Sequence, residues 1–485
     1  MRPSDRWGGL KVLKNRHNGA YTWQVVAGSA ALGLVVAAGA VLAAGPWDNG
    51  QRKAERALAV AADRTGGAHH GRPTPEGPRP APSAPAVLPA LGTATHHAPR
   101  DAAALRDTLA PLIGVPGLGD TVAASVIDTA TGEQLYGTGA TAPMTPASTI
   151  KIATTAAALS VLGPDHRIAT TAALSPDSRT LTLVGGGDPT LSEAALRSMA
   201  AEAADALRED GEEPAGPVRL TYDTSRYTGP VLHPISPNEN IAPVTALMVD
   251  EGRLNDTDRG PAKRSEDPAG DAARSFAAQL RKAGVKVTGA PREARPARES
   301  RTVATHHSAP LAALVERTLT NSDNDIAEAL ARQTAIAKGE SASFAGARRA
   351  VTNELKKLGV PVAGAHLADG SGLDREDRVT PALLTALLAR AADPDRPGLR
   401  PVLTGLPIAG FSGTLGGRYQ EASEGTGLIR AKTGTLSGVN SLAGTVVDPR
   451  GRLLAFAFLA SGSLSAAEAE PALDALATAL ALPAR

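Results

Sequence analysis

A serine hydroxyl becomes a useful nucleophile only when a nearby base takes its proton. A lysine can be that base if burial or a neighbouring cation disfavours its ammonium form. The run Ser148-Thr149-Ile150-Lys151 offers such a pair, and no other Ser-x-x-Lys occurs in the chain. Three residues is a spacing that brings two side chains onto one face of a helix. Thr145 is expected to cap that helix and Pro146 to occupy its first position, with the Ala-rich run to Leu162 continuing it. Ser148 would then stand in the first turn with Lys151 in reach. By itself the pair is equally compatible with an ordinary capped helix.

Two further clusters carry groups of the right kind. Ser322-Asp323-Asn324 is flanked by apolar Leu314, Leu319, Ile326 and Leu330, a pattern that predicts two helices meeting at a polar turn. A hydroxyl and an amide projecting from such a turn into a cleft could relay a proton and hold a substrate amide. In isolation the same triplet fits a solvated helix cap. Lys432-Thr433-Gly434-Thr435 is expected at the end of a strand over residues 428–431. There a lysine and a hydroxyl could bind a carboxylate, while glycine lets a ligand approach the strand edge and its N–H groups. A competing triplet, Ser236-Pro237-Asn238, lies in a Pro-rich loop without a helical setting and is assigned no role. The pairs His69-His70, His96-His97 and His306-His307 sit in polar segments and are taken as solvated; no metal or other cofactor is expected.

The elements that must position these groups follow from periodicity. Helical spacing spans residues 102–113, and Val122-Ala123-Ala124-Ser125-Val126-Ile127-Asp128 is expected as a strand. Thr129-Ala130-Thr131-Gly132 turns it back onto Glu133-Gln134-Leu135-Tyr136. Residues 164–300 differ in texture, with short strands such as Thr180-Leu181-Thr182-Leu183-Val184, an acidic helix near 192–211 and a Pro/Asn loop at 229–243. This stretch is expected as an inserted β-rich module. Helical texture returns from 309 to 404, then strands at 428–432, 441–447 and 453–459 and a final helix over 466–482. Asp448-Pro449-Arg450-Gly451 is the turn between the last two strands.

Composition narrows the function classes. A 485-residue chain is long enough for two or three folded units, and its net charge of +1 gives no overall field to attract nucleic acid. With no cysteine there is neither a disulfide framework nor a thiol nucleophile. Residues 1–21 carry Arg2, Arg6, Lys11, Lys14 and Arg16 against Asp5 alone, and the uncharged run 25–45 follows, bracketed by Trp23 and Trp47. About 20 apolar residues cross a bilayer as a helix, and the flanking cations predict that the N-terminal end stays in the cytoplasm. The expected organisation is a cytoplasmic tail at 1–21, a signal anchor at 22–45 and a Pro-rich stalk at 46–100. A cleaved signal peptide is the alternative to the anchor, and either arrangement exports the remainder.

The three clusters, in this order and in helix, turn and strand contexts, resemble the motif set of penicillin-binding proteins and class A β-lactamases. Ser148 and Ser322 lie 174 residues apart and Ser322 and Lys432 lie 110 apart. The long first interval, and the lack of a Glu-x-x-Leu-Asn segment, separate the chain from class A β-lactamases. It is more similar to the D-alanyl-D-alanine carboxypeptidase/endopeptidase family, low-molecular-mass penicillin-binding proteins with an extra domain between the first two motifs. Val184-Gly185-Gly186-Gly187-Asp188-Pro189-Thr190-Leu191, Asp369-Gly370-Ser371-Gly372-Leu373 and Gly413-Thr414-Leu415-Gly416-Gly417-Arg418 also look like this family and are given scaffold roles.

The resemblance implies an α+β fold: an antiparallel sheet covered by helices plus an all-helical subdomain, built from 101–163 and 301–485, with the module 164–300 inserted. It implies that Ser148 attacks the penultimate D-Ala carbonyl of a peptidoglycan stem peptide with Lys151 as base, and that Ser322 passes a proton to the departing D-Ala. Asn324 would orient Lys151 and a substrate amide. Lys432 would depress the Lys151 pKa and, with Thr433 and Thr435 beside Gly434, recognise the terminal carboxylate. The N–H groups of Ser148 and Thr435 would form an oxyanion hole, and β-lactams would act as inhibitors. Two alternatives remain at this level: a slow membrane-tethered sensor of β-lactams or muropeptides, and a β-lactamase or esterase of the same fold.

Overall fold

The computed structural model describes residues 102–208, 216–236, 238–419 and 423–483. From its N-terminal side come α1 (Ala102–Ile113), β1 (Thr121–Asp128), β2 (Gln134–Thr138) and α2 (Lys151–Leu162). Next are β3 (Ala169–Leu174), β4 (Thr180–Val184), α3 (Glu193–Arg208), β5 (Val218–Asp223), α4 (Pro268–Lys282), β6 (Val287–Glu293) and β7 (Arg301–His307). Helices α5 (Leu311–Asn321), α6 (Asn324–Ala337), α7 (Phe344–Lys357) and α8 (Pro381–Ala392) follow. The chain closes with β8 (Ile429–Leu436), β9 (Val439–Val447), β10 (Leu453–Ser461) and α9 (Ala466–Ala481).

One sheet, in the order β2-β1-β10-β9-β8, is antiparallel throughout. Its central strand β10 is apolar from Leu453 to Ala460 because both faces are covered. Leu454, Phe456, Phe458 and Ala460 pack with Leu105, Leu109, Leu473 and Leu476 of α1 and α9. Ala455, Ala457 and Leu459 meet the opposite cluster, which includes Ile152, Leu383 and Leu387 of α2 and α8. The side-chain period of two thus splits one strand between two cores. Asp128 closes the β1–β2 hairpin by accepting the Ala130 N–H at 2.9 Å, and Asp448 does the same for Arg450 between β9 and β10 at 2.9 Å.

The second sheet has the order β6-β5-β4-β3-β7. Strand β3 is antiparallel to β4 and β7, whereas β4–β5 and β5–β6 are parallel. Parallel neighbours need crossover connections, and α3 and α4 supply them. The inserted module is therefore a mixed α/β layer rather than a β-rich one. Sequence reading misses helix α4, although Asp267 caps it, Pro268 opens it, and Ala269, Ala273, Phe276 and Leu280 form a buried stripe opposite charged residues. Strand β7 pairs with β3, so the sheet continues past residue 300, where the insert was expected to end. Among the described residues no helix is long and apolar enough to cross a membrane. The expected tail, anchor and stalk, 1–100, lie outside the described residues.

Candidate active site

Ser148 does not occupy the first turn of an α-helix. It lies in a 3-10 turn, Ala147–Ile150, and α2 begins at Lys151 itself. Thr145 is no cap either: its hydroxyl accepts from Arg378 Nη1 at 2.9 Å, and it is Thr149 Oγ1 that donates back to the Pro146 carbonyl at 2.7 Å. Immediately before the serine, Ala147 has φ +47°, a left-handed backbone that a residue with a Cβ seldom adopts. Tertiary contacts hold it there. Ser441 Oγ on β9 donates to the Pro146 carbonyl at 2.7 Å. Gly372, at φ +85°, makes room for the Ala147 carbonyl, which a Cβ at 372 would approach to 2.1 Å.

This turn brings Lys151 Nζ to 3.0 Å from Ser148 Oγ. The amine also donates to Asn324 Oδ1 at 2.7 Å and to the Ser371 carbonyl at 2.5 Å. Asn324 opens α6 after a break in which Ser322 takes φ +58° and Asp323 caps the helix, accepting the Ile326 N–H at 3.0 Å. Because Asp323 is the cap, the residues on either side of it are free to face the cavity. Asn324 is steadied in turn by donating from Nδ2 to the Asn240 carbonyl at 2.9 Å.

Lys432, Thr433, Gly434 and Thr435 lie within β8, not at its end, and β8 is the outer strand of its sheet. An outer strand leaves backbone groups on one side available to an extended ligand. Gly434 is packed against the serine turn: a Cβ there would meet Ser441 Oγ at 2.2 Å, the Pro146 carbonyl at 2.7 Å and the Ser148 nitrogen at 3.1 Å. Thr433 Oγ1 bonds Thr414 Oγ1 at 2.8 Å, and Lys432 Nζ donates to the Thr433 carbonyl at 2.7 Å. A cavity of about 380 Å³ opens over this arrangement, lined by Ser148, Ser322, Asn324, Thr433 and Thr435. The two lysines are fully buried behind its wall.

Burial sets the electrostatics. Desolvation lowers the Lys151 pKa to about 8, although Asp369, Asp323, Glu328 and Asp377 pull it upward. Lys432 is held well below the ordinary lysine range, first by burial and then by the Lys151 charge. The expected influence of Lys432 on Lys151 is thus subordinate to desolvation. With a pKa of about 8, about a tenth of Lys151 is the neutral amine beside the serine at pH 7. Two buried groups, His233-Glu328-Asp369 and Glu251-Asp323-Asp325, come close enough together to hold a cation. Most of their acceptors already have protein partners, including His233 on Asp369, Arg264 on Asp325 and Arg253 on Glu251, while Asp323 Oδ2 has only the Arg317 guanidinium at 3.6 Å.

All eight residues singled out in the sequence come together here, while Ser236 and Asn238 do not line the cavity. Sequence reasoning missed the Ser371 carbonyl, Asn240, Thr414 and Ser441. Ser371 and Thr414 do fall in the glycine-rich segments Asp369–Leu373 and Gly413–Arg418, whose composition announces tight turns. The carbonyls of Ser371 and Asn240 leave no side-chain signal at all.

Residues 105–263 and 255–481 match the profile of the D-Ala-D-Ala carboxypeptidase 3 (S13) family. The chain belongs to that family. A carboxypeptidase of Mycobacterium tuberculosis is 38% identical over 424 residues, covering 83% of this chain and 88% of its own. A D-alanyl-D-alanine carboxypeptidase of Actinomadura is 30% identical over 440 residues, covering 74% and 81%. The crystal structure of penicillin-binding protein 4 from Haemophilus influenzae superposes with a TM-score of 0.63 over 77% of this chain and 97% of that one, at 23% identity. Family and fold agree with the expected α+β serine carboxypeptidase.

Proposed function

We propose that Ser148 forms an acyl-enzyme with the penultimate D-Ala of a peptidoglycan stem peptide and that water then releases it, so that the chain trims terminal D-Ala. The 3.0 Å contact between Lys151 Nζ and Ser148 Oγ carries this reading. A neutral Lys151 accepts the serine proton as the carbonyl is attacked. The N–H groups of Ser148 and Thr435 stabilise the oxyanion where charge develops. Ser322 relays the proton taken up by Lys151 to the departing amine, so that both side chains return to their starting protonation states. Thr433 and Thr435, with Lys432 behind them, bind the terminal carboxylate. β-Lactams acylate the same serine, as supported by a second crystal structure of the Haemophilus protein in complex with a β-lactam. A cross-linked stem peptide presents the same D-Ala–amino bond, so endopeptidase activity belongs to the same site. Residues 22–45 tether the catalytic part outside the cytoplasmic membrane.

Release of D-Ala from a pentapeptide ending in D-Ala-D-Ala, together with covalent labelling by fluorescent penicillin, tests the reading. Both should vanish in Ser148→Ala at unchanged melting temperature. Retained D-Ala release would refute the assignment of the nucleophile, and labelling without D-Ala release in the wild type would favour a sensor. Deleting residues 1–100 should move the protein from the membrane fraction to the soluble one while preserving D-Ala release.

A further inference from the structure

A neutral lysine amine has two N–H donors and one lone pair. At Lys151 the donors have two acceptors, Asn324 Oδ1 and the Ser371 carbonyl, which leaves the lone pair for the Ser148 hydroxyl. Whatever fixes those two acceptors fixes the direction of the base. Both lead to the inserted module. Asn324 Nδ2 donates to the carbonyl of Asn240. The Ser371 segment is wrapped around the Asp369 carboxylate, which accepts N–H groups from Ser371 at 3.0 Å, Gly372 at 2.6 Å, Leu373 at 2.9 Å and Asp374 at 2.8 Å. Asp369 Oδ2 also accepts from Ser371 Oγ at 3.1 Å and, from the inserted module, from His233 Nε2 at 2.9 Å, with the His233 and Asp369 side chains at most 1% exposed. His233 Nδ1 accepts the Ile235 N–H at 3.3 Å, so the proton sits on Nε2 and is donated to Asp369.

We propose that His233 is a positioning residue for the reaction: through Asp369 it fixes the Ser371 carbonyl, and so aims the lone pair of Lys151 at Ser148. The inserted module is then a working part of the base, gripping it through His233 on one side and Asn240 on the other. This rests on Lys151 being the base. The groups facing His233 are Asp369 and Asp374 on the wrapped segment, Glu328 on α6 and the ring of Phe344 on α7, in edge contact at 5.4 Å; Asp377 faces Asp369 and Arg332 faces Glu328. No other described group supplies a donor to Asp369 Oδ2 from the insert side.

The test compares His233→Gln with His233→Asn in the full chain. A glutamine amide reaches as far as Nε2, whereas an asparagine amide stops near Nδ1. Acylation by fluorescent penicillin is followed from pH 6 to 10 and normalised to the fraction of sites that can be titrated. H233N should acylate about tenfold more slowly. Its acid limb should move up by roughly half a pH unit, because an under-bonded Asp369 carboxylate favours the charged Lys151. H233Q should restore both rate and limb. An H233N rate and limb equal to wild type would overturn the proposal. A lower titratable fraction with an unmoved limb would overturn it as well, reducing His233 to a structural role. Failure of the wild type itself to be acylated would instead overturn the reading of Ser148 and Lys151.

Discussion

Replacing Gly434 by alanine adds one methyl group at the point where β8 meets the serine turn, and the structure fixes what that methyl would strike. Ser441 Oγ, at 2.2 Å, could rotate away, at the loss of its 2.7 Å bond to the Pro146 carbonyl. The Pro146 carbonyl itself, at 2.7 Å, and the Ser148 nitrogen, at 3.1 Å, are backbone atoms and cannot rotate. Ordinary contact begins at 3.4 Å, so strand and turn must separate by about 0.7 Å. Overpacking of this kind costs about 1–3 kcal/mol, or a fall in melting temperature of about 1–4 °C for a chain of this size. The displaced atoms are the serine nitrogen and the strand that faces it. A shift approaching 1 Å in a reacting group costs up to about 100-fold in rate, so the second-order rate of penicillin acylation should fall about 10- to 100-fold while most of the protein stays folded. Stopped-flow acylation beside a thermal melt measures both. Wild-type acylation by a folded G434A protein would refute the claim that this contact sets the geometry of the nucleophile.

Acylation should rise with pH. With the Lys151 pKa at about 8, only about a tenth of the molecules carry the neutral amine at pH 7, so the rate should climb about tenfold and level off above pH 9. A flat profile between pH 6 and 9 would exclude Lys151 as the titrating base. Asp377 tests the linkage of charge to stability: burial and the adjacent Asp369 carboxylate push its pKa up to about 10. The unfolded chain releases this proton near pH 4 and the native one near pH 10. Between those values the unfolded state binds fewer protons, and stability falls as pH rises. Asp377→Asn keeps a donor facing Asp369 and removes the titration, so its unfolding midpoint in denaturant should decline less than that of wild type from pH 5 to 9; parallel declines would refute the shared proton.

The hairpin at Asp128, the apolar strands and the helix pair around Ser322 were legible because each rests on a local rule: turn chemistry, period two, period 3.6. Helix α4 was missed although its signals are local too: the Asp267 cap, Pro268 at its first position and one apolar stripe opposite charged residues. The serine turn was misjudged for another reason. Thr145 and Pro146 satisfy the local preferences of a helix start, but Ser441, Gly372 and Gly434 impose a left-handed Ala147 and a 3-10 turn from distant parts of the chain. Asp323 illustrates the reverse case. Its capping of α6 gives the physical reason why only Ser322 and Asn324 of the triplet were given chemical roles.

Residue types and order by themselves picked out the Ser148–Lys151 pair, the two supporting motifs and the family they imply. Those depend on which functional groups are present and on short spacings, and both are written in the chain. Tertiary structure alone decided what gives the lysine its basicity and direction. Its burial, the carbonyls of Ser371 and Asn240 and the reach of His233 through Asp369 arise from contacts between segments far apart in sequence, and two of those contacts are made by backbone atoms common to every residue.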